Sequence, residues 1–287
     1  MDYLYSYLIL AEIYVLLGLS TNLLVGVVGI FSVSQAAVFG VGAYVVGDLL
    51  LSGATTFLPA LAIAACACIL LNVLISLPSL RVAGDYFVVT SFGIQLLATA
   101  TFTNWTAGTG GANGMPGVPP PDLFGLPIEA TRLILVVTTV AMALGCLAFG
   151  LILRAPFGRL LKAIREDELA VAAAGKDVLG AKVSAAALAG AFAGIAGGLY
   201  ATYLSFIDPS AFDLDASILL LTMVVVGGAR TLAGSVLGPF LLLALPQLLT
   251  LIAIPTTYAA TLRQLLYGVL LIAFALFRPQ GLLGEKL

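Results

Sequence analysis

The sequence contains no histidine. That one absence removes His general bases, His-ligated metals and Ser-His or Cys-His nucleophile pairs together. Charge is scarce as well: 9% of residues are Asp, Glu, Lys or Arg, against about 25% in an ordinary soluble domain, too few to clothe a water-facing surface. No Lys or Arg precedes Arg81, so Met1-Asp2-Tyr3 lacks the positive n-region of a cleavable signal peptide and the first apolar run reads as a retained helix. No Gly-x-x-x-x-Gly-Lys-Ser/Thr loop exists, because Gly175-Lys176 is followed by Asp177 and lacks the upstream glycine, so the chain cannot cradle ATP phosphates itself. No basic cluster with interleaved aromatics points to nucleic acid. Cys66, Cys68 and Cys146 all lie in apolar stretches and read as small buried hydrophobes. No catalytic residue, metal or cofactor is expected.

What is present is apolar: 61% of the chain is hydrophobic. Stretches of about 20 apolar residues, the length that crosses a bilayer, recur from Tyr7 to Phe277. Their continuous Leu, Val and Ala runs do not resemble the alternating ten-residue strands of a barrel. The expected fold is an all-α polytopic transmembrane helix bundle of about nine spans (eight to ten), a single transmembrane domain over 1–287. The spans fall near 7–28, 36–51, 56–78, 86–103, 130–153, 183–204, 216–229, 232–253 and 262–277. Glycine density between Gly29 and Gly53 fits close helix packing or a broken, re-entrant helix.

Basic residues set orientation, since cytoplasmic loops carry the Lys/Arg excess. With the C-terminus inside and the N-terminus outside, Arg81, Arg154, Arg159, Lys162, Arg165, Lys176, Lys182, Arg230, Arg278 and Lys286 are cytoplasmic and only Arg132 and Arg263 are outside. Two loops are long. The outer one, 104–128, carries Gly108, Gly110, Gly111, Gly114, Gly117 and five prolines, and is expected as turns that face a partner or cap the solute path, or as a passive surface loop. The inner one, 154–182, holds a helix over Leu160–Ala174, with Leu160, Leu161 and Ile164 forming an apolar ridge beside Arg159, Lys162 and Arg165, and Gly175 placed to stop it in the left-handed conformation. This amphipathic helix can dock on a protein partner or lie on anionic lipid. The run Glu166-Asp167-Glu168 favours the protein.

Within the spans, Glu12 and Asp48 sit near the outer ends, where reach to the interface accounts for them. An ion-coupled carrier would keep an acid near the midplane. Asn22, Gln35 and Gln95 stand out from the other polar residues because a side-chain amide is expensive to bury unpaired, so they are candidates to line a solute path. Pro246 should kink its span. A weak internal repeat is visible between Gly29–Gly40 and Gly228–Gly238, both glycine-bounded.

The segment Arg154-Ala-Pro-Phe-Gly-Arg-Leu-Leu-Lys-Ala-Ile-Arg-Glu-Asp-Glu168, followed by Gly175 and Ala189-Gly-Ala-Phe-Ala-Gly-Ile-Ala-Gly-Gly-Leu-Tyr200, resembles permeases of the branched-chain amino-acid ABC importer family. So do Gly18-Leu-Ser-Thr-Asn-Leu-Leu-Val-Gly26, Ser34-Gln-Ala-Ala-Val-Phe-Gly-Val-Gly-Ala-Tyr44, Asn104-Trp-Thr-Ala-Gly-Thr-Gly-Gly-Ala-Asn-Gly114 and Gly227-Gly-Ala-Arg-Thr-Leu-Ala-Gly-Ser-Val-Leu-Gly-Pro239. The resemblance implies a bacterial inner-membrane protein paired with a second related permease, two cytoplasmic ATPases and a periplasmic solute-binding protein, performing no chemistry on its solute. The expected ATPase-coupling set is Arg159, Leu160, Leu161, Ile164, Arg165, Glu166, Glu168 and Gly175. Two departures stand out: Glu168-Leu-Ala-Val-Ala-Ala-Ala-Gly175 has Leu169 at the first alanine and one extra residue before the glycine of the importer loop pattern, and Ser34-Gln35 stands where the family often has Gly-His. A stand-alone channel or facilitator, for urea for example, or a secondary transporter, is the rival reading. The topology is tested by fusions: a C-terminal green fluorescent protein is expected to fluoresce and a C-terminal alkaline phosphatase to be inactive, and the reverse pattern would invert the orientation.

Overall fold

The computed structural model describes residues 2–80, 84–123, 126–127, 131–251, 256–278 and 280–284. It is an all-α bundle. The helices are α1 (Asp2–Thr21), α2 (Gln35–Leu51), α3 (Phe57–Ser76), α4 (Gly84–Asn104), α5 (Thr106–Thr109), α6 (Thr131–Arg154), α7 (Pro156–Glu166), α8 (Glu168–Ala173), α9 (Val178–Leu204), α10 (Leu214–Gly227), α11 (Leu232–Leu251) and α12 (Thr256–Phe277). α1 continues as a wider π-helical segment, Asn22–Val28. Among the described residues nine helices are apolar, five of them long enough to cross a membrane and four shorter, in the order expected. Arg81 and Lys286 lie outside the described residues, as does the side chain of Pro246, through which the α11 backbone continues as helix.

α1 is the mast of the bundle: 83% of its most apolar window is buried, against 22% for α4 and for α6. The outer helices turn Leu97, Leu144, Leu147 and Leu151 outward, each more than half exposed. Large apolar side chains on an outer surface suit lipid, which is why the strict in/out segregation of a soluble helix is missing. α2 is enclosed by α3 and α9, and small residues permit the approach. A Cβ on Gly42 would sit 2.8 Å from the Gly194 Cα, and one on Gly197 would sit 2.4 Å from the Phe39 carbonyl oxygen. The glycine-rich stretch opens with a left-handed residue at Gly29, φ 84°, and then runs as one unbroken, tightly packed helix.

The Gly/Pro loop is ordered by its neighbours. A two-residue strand, β1 (Met115–Pro116), pairs antiparallel with β4 (Phe206–Ile207) after α9, while β2 (Asp122–Leu123) pairs with β3 (Leu126–Pro127). The Asp122 carboxylate accepts the Phe57 N–H at 2.8 Å, which ties the loop to the start of α3. Beyond β4 the chain turns back into the bundle. The short turn Pro209–Phe212 drives Phe212, fully buried, between Phe39 and Tyr200, with ring centroids 5.1 and 5.8 Å away. α10 begins directly after this turn and is 14 residues long.

One element differs from expectation. The single helix expected over Leu160–Ala174 is two, because Asp167 adopts an extended conformation, φ −154°, and its side chain accepts the Ala170 N–H to cap α8. Gly175 does stop α8, with φ 73°. The glycine contacts give a prediction. Gly42→Leu should destabilise the fold by more than about 3 kcal/mol, since backbone cannot yield as a side chain does, whereas Gly93→Ala, which meets nothing within 4 Å, should leave thermal unfolding unchanged; equal behaviour of the two in a detergent melt would refute the packing argument.

Candidate functional site

Non-helical backbone at membrane depth needs partners from inside the protein. Of the three singled-out amides, Asn22 and Gln95 serve breaks between helices, and Gln35 links one helix to others. Asn22 is fully buried; its Oδ1 accepts the Arg230 N–H at 2.9 Å, and its Nδ2 donates to the Thr231 carbonyl at 3.0 Å and to Ser235 Oγ at 2.6 Å. It thereby holds Arg230 in the left-handed conformation, φ 71°, between α10 and α11. Gln95 Oε1 accepts the Ala37 N–H in the first turn of α2 at 3.0 Å and the Ser217 hydroxyl at 3.2 Å. Its Nε2 donates to the Phe212 carbonyl at 2.7 Å, at the end of the inward turn. Gln35 Nε2 donates to Asn72 Oδ1 at 3.3 Å, Asn72 donates onward to the Ala186 carbonyl at 2.8 Å, and the Ser20 hydroxyl lies 3.1 Å from Gln35 Oε1 while donating to the Ala189 carbonyl at 2.7 Å. All three amides are committed to interhelical bonds, and none borders the polar cavity at the head of α10.

The loop helix α7 is built into the bundle. Pro156 opens it where its missing N–H costs nothing, and Leu161 and Ile164 are 0% and 3% exposed, in the same core cluster as α1 and α9. Leu160 packs against that core too. The apolar ridge expected to meet a partner therefore faces this chain's own interior, the consequence of a helix lying against the broken end of α1. Arg165 donates to the Gly26 carbonyl, an acceptor freed by the π-helical segment, and its stem covers Gly29, where a Cβ would meet Cγ at 2.8 Å. Burial, then the nearby Arg230, pull the Arg165 pKa below the usual arginine value, while Glu166 opposes them. Glu166 bonds Arg230 at 2.9 Å and Glu168 bonds the buried Lys182 at 2.6 Å. Arg159, Leu169 and Gly175 stay exposed, with Leu169 at 82%.

The sequence profile of a family described as branched-chain amino acid transport system, permease component, matches residues 3–275. The chain belongs to that family. Its relatives include the high-affinity branched-chain amino acid transport system permease protein LivM of Escherichia coli, 29% identical over 297 residues, covering 96% of this chain and 68% of the relative. A probable branched-chain amino acid transport permease protein LivM of Methanocaldococcus jannaschii is 30% identical over 223 residues, covering 73% and 63%. No solved structure matches the chain.

In this permease Ser20, Asn72, Arg230 and Asp213, none of them singled out above as a site residue, do much of the holding. Asp213 had a readable signal, an Asp directly before an apolar run, and its carboxylate caps the Ala216 N–H at 3.1 Å. Arg230 had none, because its backbone conformation is imposed from a distance of 208 residues by Asn22. A test follows from Gln95. Gln95→Leu strands the Phe212 carbonyl and the Ser217 hydroxyl proton, while the Ala37 N–H keeps the Ser34 carbonyl; each stranded group costs about 1–3 kcal/mol, so the change should clearly lower the melting temperature of the solubilised permease. Thr101→Ala, an exposed residue bonded only within its own helix, should not; a Gln95→Leu melt matching wild type would show that the amide is dispensable.

Proposed function

We propose that this permease is the membrane-spanning subunit of an ATP-driven importer, moving a small polar solute, branched-chain amino acids foremost, into the cytoplasm by alternating access. The partners proposed are a second related permease, two ATPases on the α7 face and a solute-binding protein on the Gly/Pro-loop face. The basic residues that gather at the α7 end support that end as cytoplasmic. The names of the relatives support the solute class.

The observation that carries the proposal is the attachment of α7. Arg165 and Glu166 join it to both interrupted helix ends, Gly26–Gly29 and Arg230. A displacement of α7 must be passed to the two helix breaks nearest it, because each bond would otherwise be lost. Three features support α8 and the exposed edge of α7, with Arg159, as the surface that an ATPase pushes: the α7 ridge is spent inside, α8 has no buried residue, and Leu169 projects from it. Leu169→Asp is expected to abolish co-purification of the ATPases while the permease stays folded and inserted. Ile164→Asp, in contrast, buries a charge in the core and should unfold the permease itself, at a cost of more than about 4 kcal/mol. ATPase association and uptake at the wild-type level with Leu169→Asp would sink the assignment of this surface.

A further inference from the structure

A cavity of about 560 Å³ opens where α10 begins, bordered by Tyr14 of α1, Tyr200 of α9, Asp213 and Asp215 at the head of α10, and Gln264 and Tyr267 of α12. Its size suits a small-molecule site, about 300–1,000 Å³. It also stands at an interrupted helix, the kind of place where transporters bind their solutes.

Some of these groups are already satisfied. Gln264 Nε2 donates to Asp215 at 2.7 Å, and the Tyr267 hydroxyl lies 3.4 Å from the Leu242 carbonyl. Tyr200 is not. It is 8% exposed, its ring is wedged against Phe39 and Phe212, and its hydroxyl has no partner among the described residues. A phenol buried to this extent is ordinarily paired. Tyr200 borders the cavity, so a polar group filling that space is the partner available to its hydroxyl. Asp213 spends a lone pair on the Ala216 N–H, but a carboxylate has about four acceptor sites, so capacity remains.

Charge decides what can fill the space. Two carboxylates border the cavity, and among the described residues no Lys or Arg does. The positive end of α10 is offset by the Asp213 cap. An anionic head would be repelled, and a hydrogen-bond donor bearing positive charge would be held. The geometry points to this cavity as the site that receives the ammonium group of the transported solute, on Asp213 and the Tyr200 hydroxyl, with Ile218 and Leu219 offering apolar wall to an alkyl side chain. The inference rests on the reading of the chain as an amino-acid permease and adds to it the end of the solute that the protein recognises.

Two probes separate the ends of such a solute: isoamylamine carries the ammonium without a carboxylate, and 4-methylpentanoate carries the carboxylate without an ammonium. Saturation-transfer NMR with the purified full-length permease, binding protein omitted, should show the amine bound and the acid not. Asp213→Asn keeps the helix cap, since Asn caps as well as Asp, and should weaken amine binding by at least about tenfold. Tyr200→Phe keeps the ring packing and should weaken it by about three- to tenfold. Acid bound as tightly as amine, no amine bound by wild type, or both variants binding like wild type would each overturn the assignment. ATP-driven leucine uptake in proteoliposomes, measured alongside, keeps the two ideas apart: amine binding without uptake would refute the transport reading and leave the cavity chemistry standing, while uptake without amine binding would do the opposite.

Discussion

A polypeptide that interrupts its helices inside an apolar bundle must find a partner for every freed N–H and carbonyl, because no solvent supplies one. That requirement organises this molecule. The chain stops being regular helix at Gly29, at the inward turn that ends at Phe212, and at Gly228. At each point a side chain from a distant helix closes the ladder: half-buried Arg165 and buried Asn22 around the first and third, buried Gln95 at the second. These bonds are few and individually modest, about 0.6 kcal/mol on average for side chains between membrane helices. Their placement matters more than their sum, since each joins two interruptions or ties one to a neighbouring helix.

Around these points the remaining packing is a matter of clearance. α2 can lie between α3 and α9 only because Gly42, Gly194 and Gly197 let main chains touch, and that closeness brings Gln35 within reach of Asn72. The aromatic group about Phe212 fills the space beside α2, with Phe102 and Tyr44 on its other flank. Rigid packing in the middle and bonded breaks at the edges make a scaffold with few places to give, and those few are the breaks.

The helix count was legible because apolar runs of bilayer length are a strong signal, and the boundaries from Gln35–Leu51 to Thr256–Phe277 fall within a few residues of those runs, the starts of α9 and α12 excepted. The left-handed stop at Gly175 was legible for the same local reason. The orientation of the α7 ridge was not. Periodicity identifies an apolar face, but whether Leu161 and Ile164 meet a partner or the chain's own core depends on where the end of α1 lies, and that is a long-range fact. Burial cost marks the amides Asn22, Gln35 and Gln95 as unusual, while the distant helices they bond to are a long-range fact that local pattern does not carry. Asp167 illustrates a smaller ambiguity, since an Asp among helix formers can be a solvated residue or a cap, and here it caps.

The segment after α12 returns to the α7 end and completes it. The Leu282 and Leu283 N–H groups donate to the Val226 and Gly227 carbonyls that end α10, and the Thr231 hydroxyl reaches the Leu283 carbonyl 52 residues away. In chain order the acceptors of α10 are made before α11, α12 and the donors that satisfy them. The carbonyls that end α10 therefore stay open until translation has passed α12, and the stretch that follows closes over them like a latch.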